Sequence, residues 1–111
     1  MSRIDLWRFA YFSRLLLLTK IRDEARWWRR NRANAPKLFR QELRRAFKLI
    51  VEYPEIGALA EDVELPGVRR ILLVSTHHYL YYRPNKSSQR IEVLAIWSTS
   101  RGEPPPINAA G

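Results

Sequence analysis

Residues able to grip an anion or stack on a flat ligand crowd into the last third of the chain, Gly67 to Ile107, which reads GVRRILLVSTHHYLYYRPNKSSQRIEVLAIWSTSRGEPPPI. Arg69 and Arg70 open an apolar strand, and alternation sends their side chains to opposite faces, so at most one of them points into any concave surface the sheet makes. Guanidinium groups favour forked contacts to phosphate or carboxylate. Tyr79, Tyr81 and Tyr82 would offer stacking platforms for bases on an exposed sheet face. Tyrosine is also a common strand former, and Tyr79 and Tyr81 are expected to share one face against helices. His77 and His78 are adjacent, beside a turn, and face opposite ways, so they read as turn or surface histidines rather than as an acid–base pair.

The whole composition carries the same basic bias. Lys and Arg total 20 against 11 Asp and Glu, a net charge of +9, which suits nucleic acid or an acidic protein as partner. There is no cysteine, so a disulfide framework and a thiolate metal site are both excluded, and two histidines are too few for a zinc site. No metal and no cofactor are expected, and the cytoplasm is the expected location. Leu15 to Leu18 is the longest aliphatic run, far below the ~20 residues that span a bilayer. Lys20 and Arg22 follow it without a small-residue cleavage site, so neither a membrane anchor nor a signal peptide is read. At 111 residues the chain makes one domain.

The elements that must hold the arginines and aromatics follow from periodicity. Tyr11 to Thr19 reads as a first strand, with Thr19 or Asp23 as cap of the next helix. Ile21, Ala25 and Trp28 fall on one face of a helix running to Arg32. Trp27 and Trp28 lie about 100° apart on it; both are expected in the core, and whichever lies nearer the surface could anchor a partner. Asn34 is a cap and Pro36 a first-turn residue for a second helix, in which Phe39, Leu43, Phe47, Ile50 and Val51 recur until Pro54 and Gly57 stop it. A helical hairpin follows. After a polar loop, Pro66-Gly67 launches a strand over Val68 to Ser75. Further strands are read over His78 to Arg83 and Ile91 to Ser98, with a flexible turn at Asn85 to Gln89. In the last strand Ile91, Val93, Ala95 and Trp97 are expected on one face and Leu94 and Ile96 on the other, the pattern of a covered central strand. Pro104 to Pro106 should carry the tail away from the sheet in extended form.

Two arginines at a strand mouth, an aromatic strand, a polar turn and an apolar strand ending in Trp97-Ser-Thr-Ser-Arg101-Gly, all after a helical segment closing on Tyr53-Pro-Glu-Ile-Gly57, form an order that resembles the RelE/ParE superfamily of bacterial toxins. These are the stable halves of type II toxin-antitoxin pairs, and the resemblance covers residues 14 to 107. It implies an α+β fold of order β-α-α-β-β-β, with the helical hairpin packed on a twisted antiparallel sheet. Residues 1–10 are then an N-terminal extension, 11–107 the toxin domain and 108–111 a tail.

The superfamily has two branches with different chemistry. RelE-type toxins cleave ribosome-bound mRNA, which needs a positioned base, an acid and a cation; on that branch Arg69, Arg70, Tyr82, Arg83 and Arg101 are the catalytic candidates. In several of these nucleases a histidine or tyrosine near the end of the last strand completes the site. Here Trp97 is followed by Ser98, and no tyrosine occurs after Tyr82. The ending from Trp97 to Gly102 resembles the close of ParE sequences, whose proteins poison DNA gyrase and lack the nuclease residues. The resemblance therefore implies a gyrase-binding toxin without chemistry of its own, with Arg69, Arg70, Trp97 and Arg101 as target contacts. A cognate antitoxin would lay an acidic, amphipathic segment across the helices and the basic sheet, meeting Trp27, Arg30 and Arg83, and DNA would be reached only through that antitoxin. The alternative is the RelE-like endoribonuclease; a module that has lost toxicity and serves an autoregulatory complex is a third reading.

Overall fold

Helix α2 (Leu38–Glu52) shows how the fold starts from sequence. Its buried residues Phe39, Leu43, Ala46 and Ile50 recur every three or four positions, so one stripe of the helix is apolar and must be covered. The computed structural model describes residues 9–12, 15–31 and 37–107, with side chains from Ile21 onward. Helix α1 (Leu15–Asn31) pairs with α2 as the expected hairpin, and both lie on one face of a five-stranded sheet of order β1-β5-β4-β3-β2. The strands are β1 (Phe9–Phe12), β2 (Ala58–Leu59), β3 (Arg69–Leu73), β4 (His78–Asn85) and β5 (Arg90–Ser98). The α+β architecture with two helices packed on a sheet is as expected; β2–β5 pair antiparallel and β1 joins β5 in parallel.

The N-terminal boundaries differ from the periodicity reading. The first strand is Phe9–Phe12, so Phe9 and Ala10 already belong to it, and Leu15 to Thr19 is helix rather than strand. Leucine is among the best helix formers, and the run continues the helical spacing through Leu18, Ile21, Ala25 and Trp28. Thr19 and Asp23 consequently sit inside α1 rather than capping it. The expected cap at Asn34 and first-turn Pro36 lie outside the described residues, as do residues 1–8 and 108–111. Strand β2, two residues long, has too short a pattern to be read from sequence.

Between helices and sheet lies the larger core, in which Phe39, Ile50, Leu80, Tyr82, Ile91 and Val93 are fully buried. Each such side chain contributes about 1.5–3 kcal/mol over exposure. The opposite face of the sheet carries a smaller cluster of Ala60, Val68, Tyr81, Leu94 and Ile107. The middle strand of the five is β4, but strand β5 is covered and interior, flanked by β1 and β4. Its alternation, however, is broken. Tyr81 pairs with Ala95 and Tyr82 with Val93, which leaves Leu94 as an extra residue in a β-bulge. Beyond the bulge, Ile96 joins the helix-side core, while Ala95 and Trp97 join Leu94 on the other face. This reverses the faces that strict alternation assigns to Ala95, Ile96 and Trp97.

Candidate functional site

The bulge matters because it delivers Trp97 to the sheet face that carries Arg70. Arg70 and Tyr81 are register partners across β3 and β4, and Tyr79 pairs with Trp97 across β4 and β5, so their side chains share that face. Tyr79 and Tyr81 do lie on one face, but it is the face away from the helices. Leu80 and Tyr82 take the helix side instead. The two tyrosine rings meet edge to face at 6.2 Å.

Two guanidinium groups complete the arrangement. That of Arg70 lies 4.4 Å from the centre of the Tyr79 ring, and that of Arg101 lies 4.3 Å from the centre of Trp97. Arg70 Nη1 donates to the Tyr81 hydroxyl at 3.4 Å and lies 3.7 Å from Asp62 Oδ2. The Tyr81 hydrogen bond raises the Arg70 pKa, so this group is a permanent cation. Arg70, Tyr79, Tyr81, Trp97, Arg101 and Asp62 line a cleft of about 160 Å³. Tyr81 is buried, whereas Arg101 is exposed.

The C-terminal tail forms one wall of this cleft rather than leaving the sheet. The Trp97 indole Nε1 donates to the Glu103 carbonyl at 2.9 Å, and the Glu64 amide donates to the Ile107 carbonyl at 3.1 Å. Ile107, 5% exposed, packs into the second cluster. The prolines keep the segment extended, but the apolar side chain at its end returns it to the sheet.

Of the expected target contacts, Arg70, Trp97 and Arg101 are therefore brought together. Arg69 is not: it faces the other way, as adjacent strand residues must, and its Nη1 donates to the carbonyls of Glu55 at 3.1 Å and Gly57 at 2.7 Å. Tyr82, a candidate in the nuclease reading, is fully buried on the helix side. Its hydroxyl donates to the Pro54 carbonyl and accepts from the Gly57 amide, both at 2.8 Å, and burial raises its pKa. Gly57 is required there: a Cβ would stand 2.7 Å from the Tyr82 Oη and 2.9 Å from the Arg70 carbonyl oxygen. Arg83 is held by Glu92, at 3.1 and 3.2 Å from its two carboxylate oxygens. Sequence reasoning missed Asp62, Tyr79 and Tyr81 as parts of the cleft; the two-residue spacing of Tyr79 and Tyr81 opposite Arg70 was the available signal.

The histidines divide. His77 occupies the left-handed region at φ 56°, the turn position expected of it. His78 is buried rather than at the surface, with its ring against Phe39 at 5.6 Å and its Nε2 3.5 Å from Glu24 Oε2. Beside it, the Glu42 carboxylate accepts from the amides of Ser75 and Thr76 and from the Thr76 hydroxyl at 2.8–3.1 Å. Burial opposes its charge, but these hydrogen bonds outweigh it and lower its pKa.

A second surface lies on the helical hairpin. Ile21, Leu43 and Phe47 form the floor of a groove of about 320 Å³, with Arg22, Arg40 and Arg44 also lining it. The tryptophans of α1 split: Trp28 is buried, whereas Trp27 is 46% exposed and Arg30 is exposed. Among the described residues no group of three or more His, Asp or Glu side chains could hold a metal ion, and no helix is long and apolar enough to cross a membrane.

The chain resembles the solved structure of the isolated E. coli RelE toxin, in its P21 crystal form, with a TM-score of 0.57 and 21% identity over 86% of this chain and 87% of that one. At that identity the likeness concerns the fold. No curated protein matches the sequence. A family model described as the ParE toxin of the type II toxin-antitoxin system parDE matches residues 16–102. With both helices, β2–β5 and the rim up to Gly102 inside or reaching into that match, the chain belongs to the ParE toxin family of type II toxin-antitoxin systems.

Proposed function

We propose that this toxin inhibits DNA gyrase by binding it, with no chemistry of its own, and that a small cognate antitoxin neutralises it in the cytoplasm. The observation that carries the reading is the ParE match over residues 16–102. The cleft supports it. Arg70 and Arg101 are stacked on aromatic rings as gripping groups, while Tyr82 and Arg83, which a nuclease would need free, are bound to Pro54, Gly57 and Glu92. The helical groove suits the antitoxin: an acidic amphipathic helix would set its apolar stripe on Ile21, Leu43 and Phe47 and pair its carboxylates with Arg22, Arg40 and Arg44. Trp27 and Arg30 on α1 would extend that contact. DNA is reached only through the antitoxin.

The test is gyrase supercoiling and cleavage of plasmid DNA with the purified chain, with and without antitoxin. Inhibition with accumulated cleaved DNA, reversed by the antitoxin, is expected; no effect at high molar excess would overturn the reading. One observation favours the RelE-like endoribonuclease as a second reading: the Tyr81 hydroxyl accepts from Arg70 in the cleft, a phenol beside a cation. On that reading Arg70→Gln or Tyr81→Phe abolishes cleavage of ribosome-bound mRNA.

A further inference from the structure

The cleft between β3 and the C-terminal tail has its cations placed against aromatic rings before any ligand arrives. The Arg70 and Arg101 guanidiniums lie over Tyr79 and Trp97, and a donor fork positioned in this way meets an oxyanion with less loss of side-chain freedom. The cleft, about 160 Å³ in volume, leaves room for a carboxylate side chain beside the two guanidiniums.

Asp62 already samples the same chemistry. Its carboxylate stands 3.7 Å from Arg70, with the two side chains 44% and 34% exposed, so this is an open ion pair that exchanges readily with a better one. The tail closes one side of the cleft. Gly102, Glu103 and Pro104 line the cleft; the segment is tied by the Trp97 indole at Glu103 and plugged by Ile107.

We propose that this cleft is a socket for a single Asp or Glu side chain of a partner protein, with the strap of residues 103–107 walling one side of it. The inference rests on the binding reading above and names the group that reading leaves unspecified. It also assigns Asp62 as an internal competitor that keeps the arginines occupied between encounters.

The test uses the full chain labelled with nitrogen-15 and reads the Trp97 indole N–H resonance, which sits at the mouth of the cleft. Hexaglutamate and an oligouridylate of matched charge are titrated separately at one ionic strength. Hexaglutamate is expected to shift the Trp97 resonance, and oligouridylate to leave it in place. Arg70→Gln with Arg101→Gln should weaken the peptide response about tenfold or more, and Asp62→Asn should strengthen it about threefold. The other indole resonances report whether each variant is folded. An equal or larger Trp97 response to oligouridylate in the unaltered chain, a silent Trp97 with peptide, or a response indifferent to both arginines overturns the proposal. The gyrase assay is separate: its failure removes the gyrase reading and leaves the socket standing, whereas a silent Trp97 removes the socket alone.

Discussion

Replacing Tyr82 by Phe keeps the ring in the core and removes one oxygen that two backbone groups depend on. The hydroxyl accepts from the Gly57 amide and donates to the Pro54 carbonyl, each at 2.8 Å, and the side chain is fully buried. Losing each hydrogen bond costs about 0.5–1.5 kcal/mol, and leaving its buried partner unpaired raises this toward about 1–3 kcal/mol. Two such losses sum to about 2–6 kcal/mol. For a domain of this size that lowers Tm by roughly 10–25 °C. Calorimetry or thermal circular dichroism measures the shift, and gyrase inhibition below the new Tm should be unchanged. A Tm loss under about 3 °C together with lost toxicity would falsify the structural role and return Tyr82 to the list of reacting groups. The same hydroxyl gives an alkaline signature. Its folded pKa is raised by burial, so the stability it contributes is complete below the ordinary value of about 10 and is lost as pH rises through the higher folded value; the Phe variant lacks this alkaline limb.

At the acid end, the pKa of Glu42 is lowered by its hydrogen bonds to Ser75 and Thr76. Its contribution is present above the unfolded value of about 4.3 and is lost as pH falls through the lower folded one, so Glu42→Gln should flatten the acid limb of a Tm-against-pH curve. Gly57→Ala forces a methyl to within 2.9 Å of the Arg70 carbonyl, and equilibrium denaturation should show a loss of about 1–3 kcal/mol. Arg40→Glu with Arg44→Glu reverses charge beside the helical groove; co-expression should show weakened rescue by the antitoxin, with growth arrest by the toxin alone unchanged.

Much of this was legible in the sequence because it follows from regular periods. The apolar stripe of α2, the presence of β3 to β5 and the opposed facing of Arg69 and Arg70 all come from 3.6- or two-residue repeats, and the interior place of β5 comes from its two apolar faces. The N-terminal error has a physical source: Leu15 to Leu18 satisfies a buried strand and a helix equally, and only continuity with Ile21, Ala25 and Trp28 decides between them. The tail was misjudged because proline fixes local conformation but says nothing of where Ile107 is buried. The socket was half legible. Arg70 and Arg101 stand out by type, while their aromatic supports depended on which side of the sheet Trp97 emerges, and no propensity reports that.

That side is decided by Leu94. Its bulge sets the parity of the four residues that follow it, so the exit of the chain from β5 is governed by a count and not by the identity of any rim residue. Removing Leu94 would take out the extra residue and let Val93 and Ala95 follow each other opposite Tyr82 and Tyr81, so Trp97 would keep its side of the sheet and only the bulge would be lost. Smoothing the bulge without shortening the strand is what would carry Trp97 under the helices and deprive Arg101 of its indole and the strap of its anchor at once. A regular strand one residue shorter would present the same rim residues to the same side of the sheet.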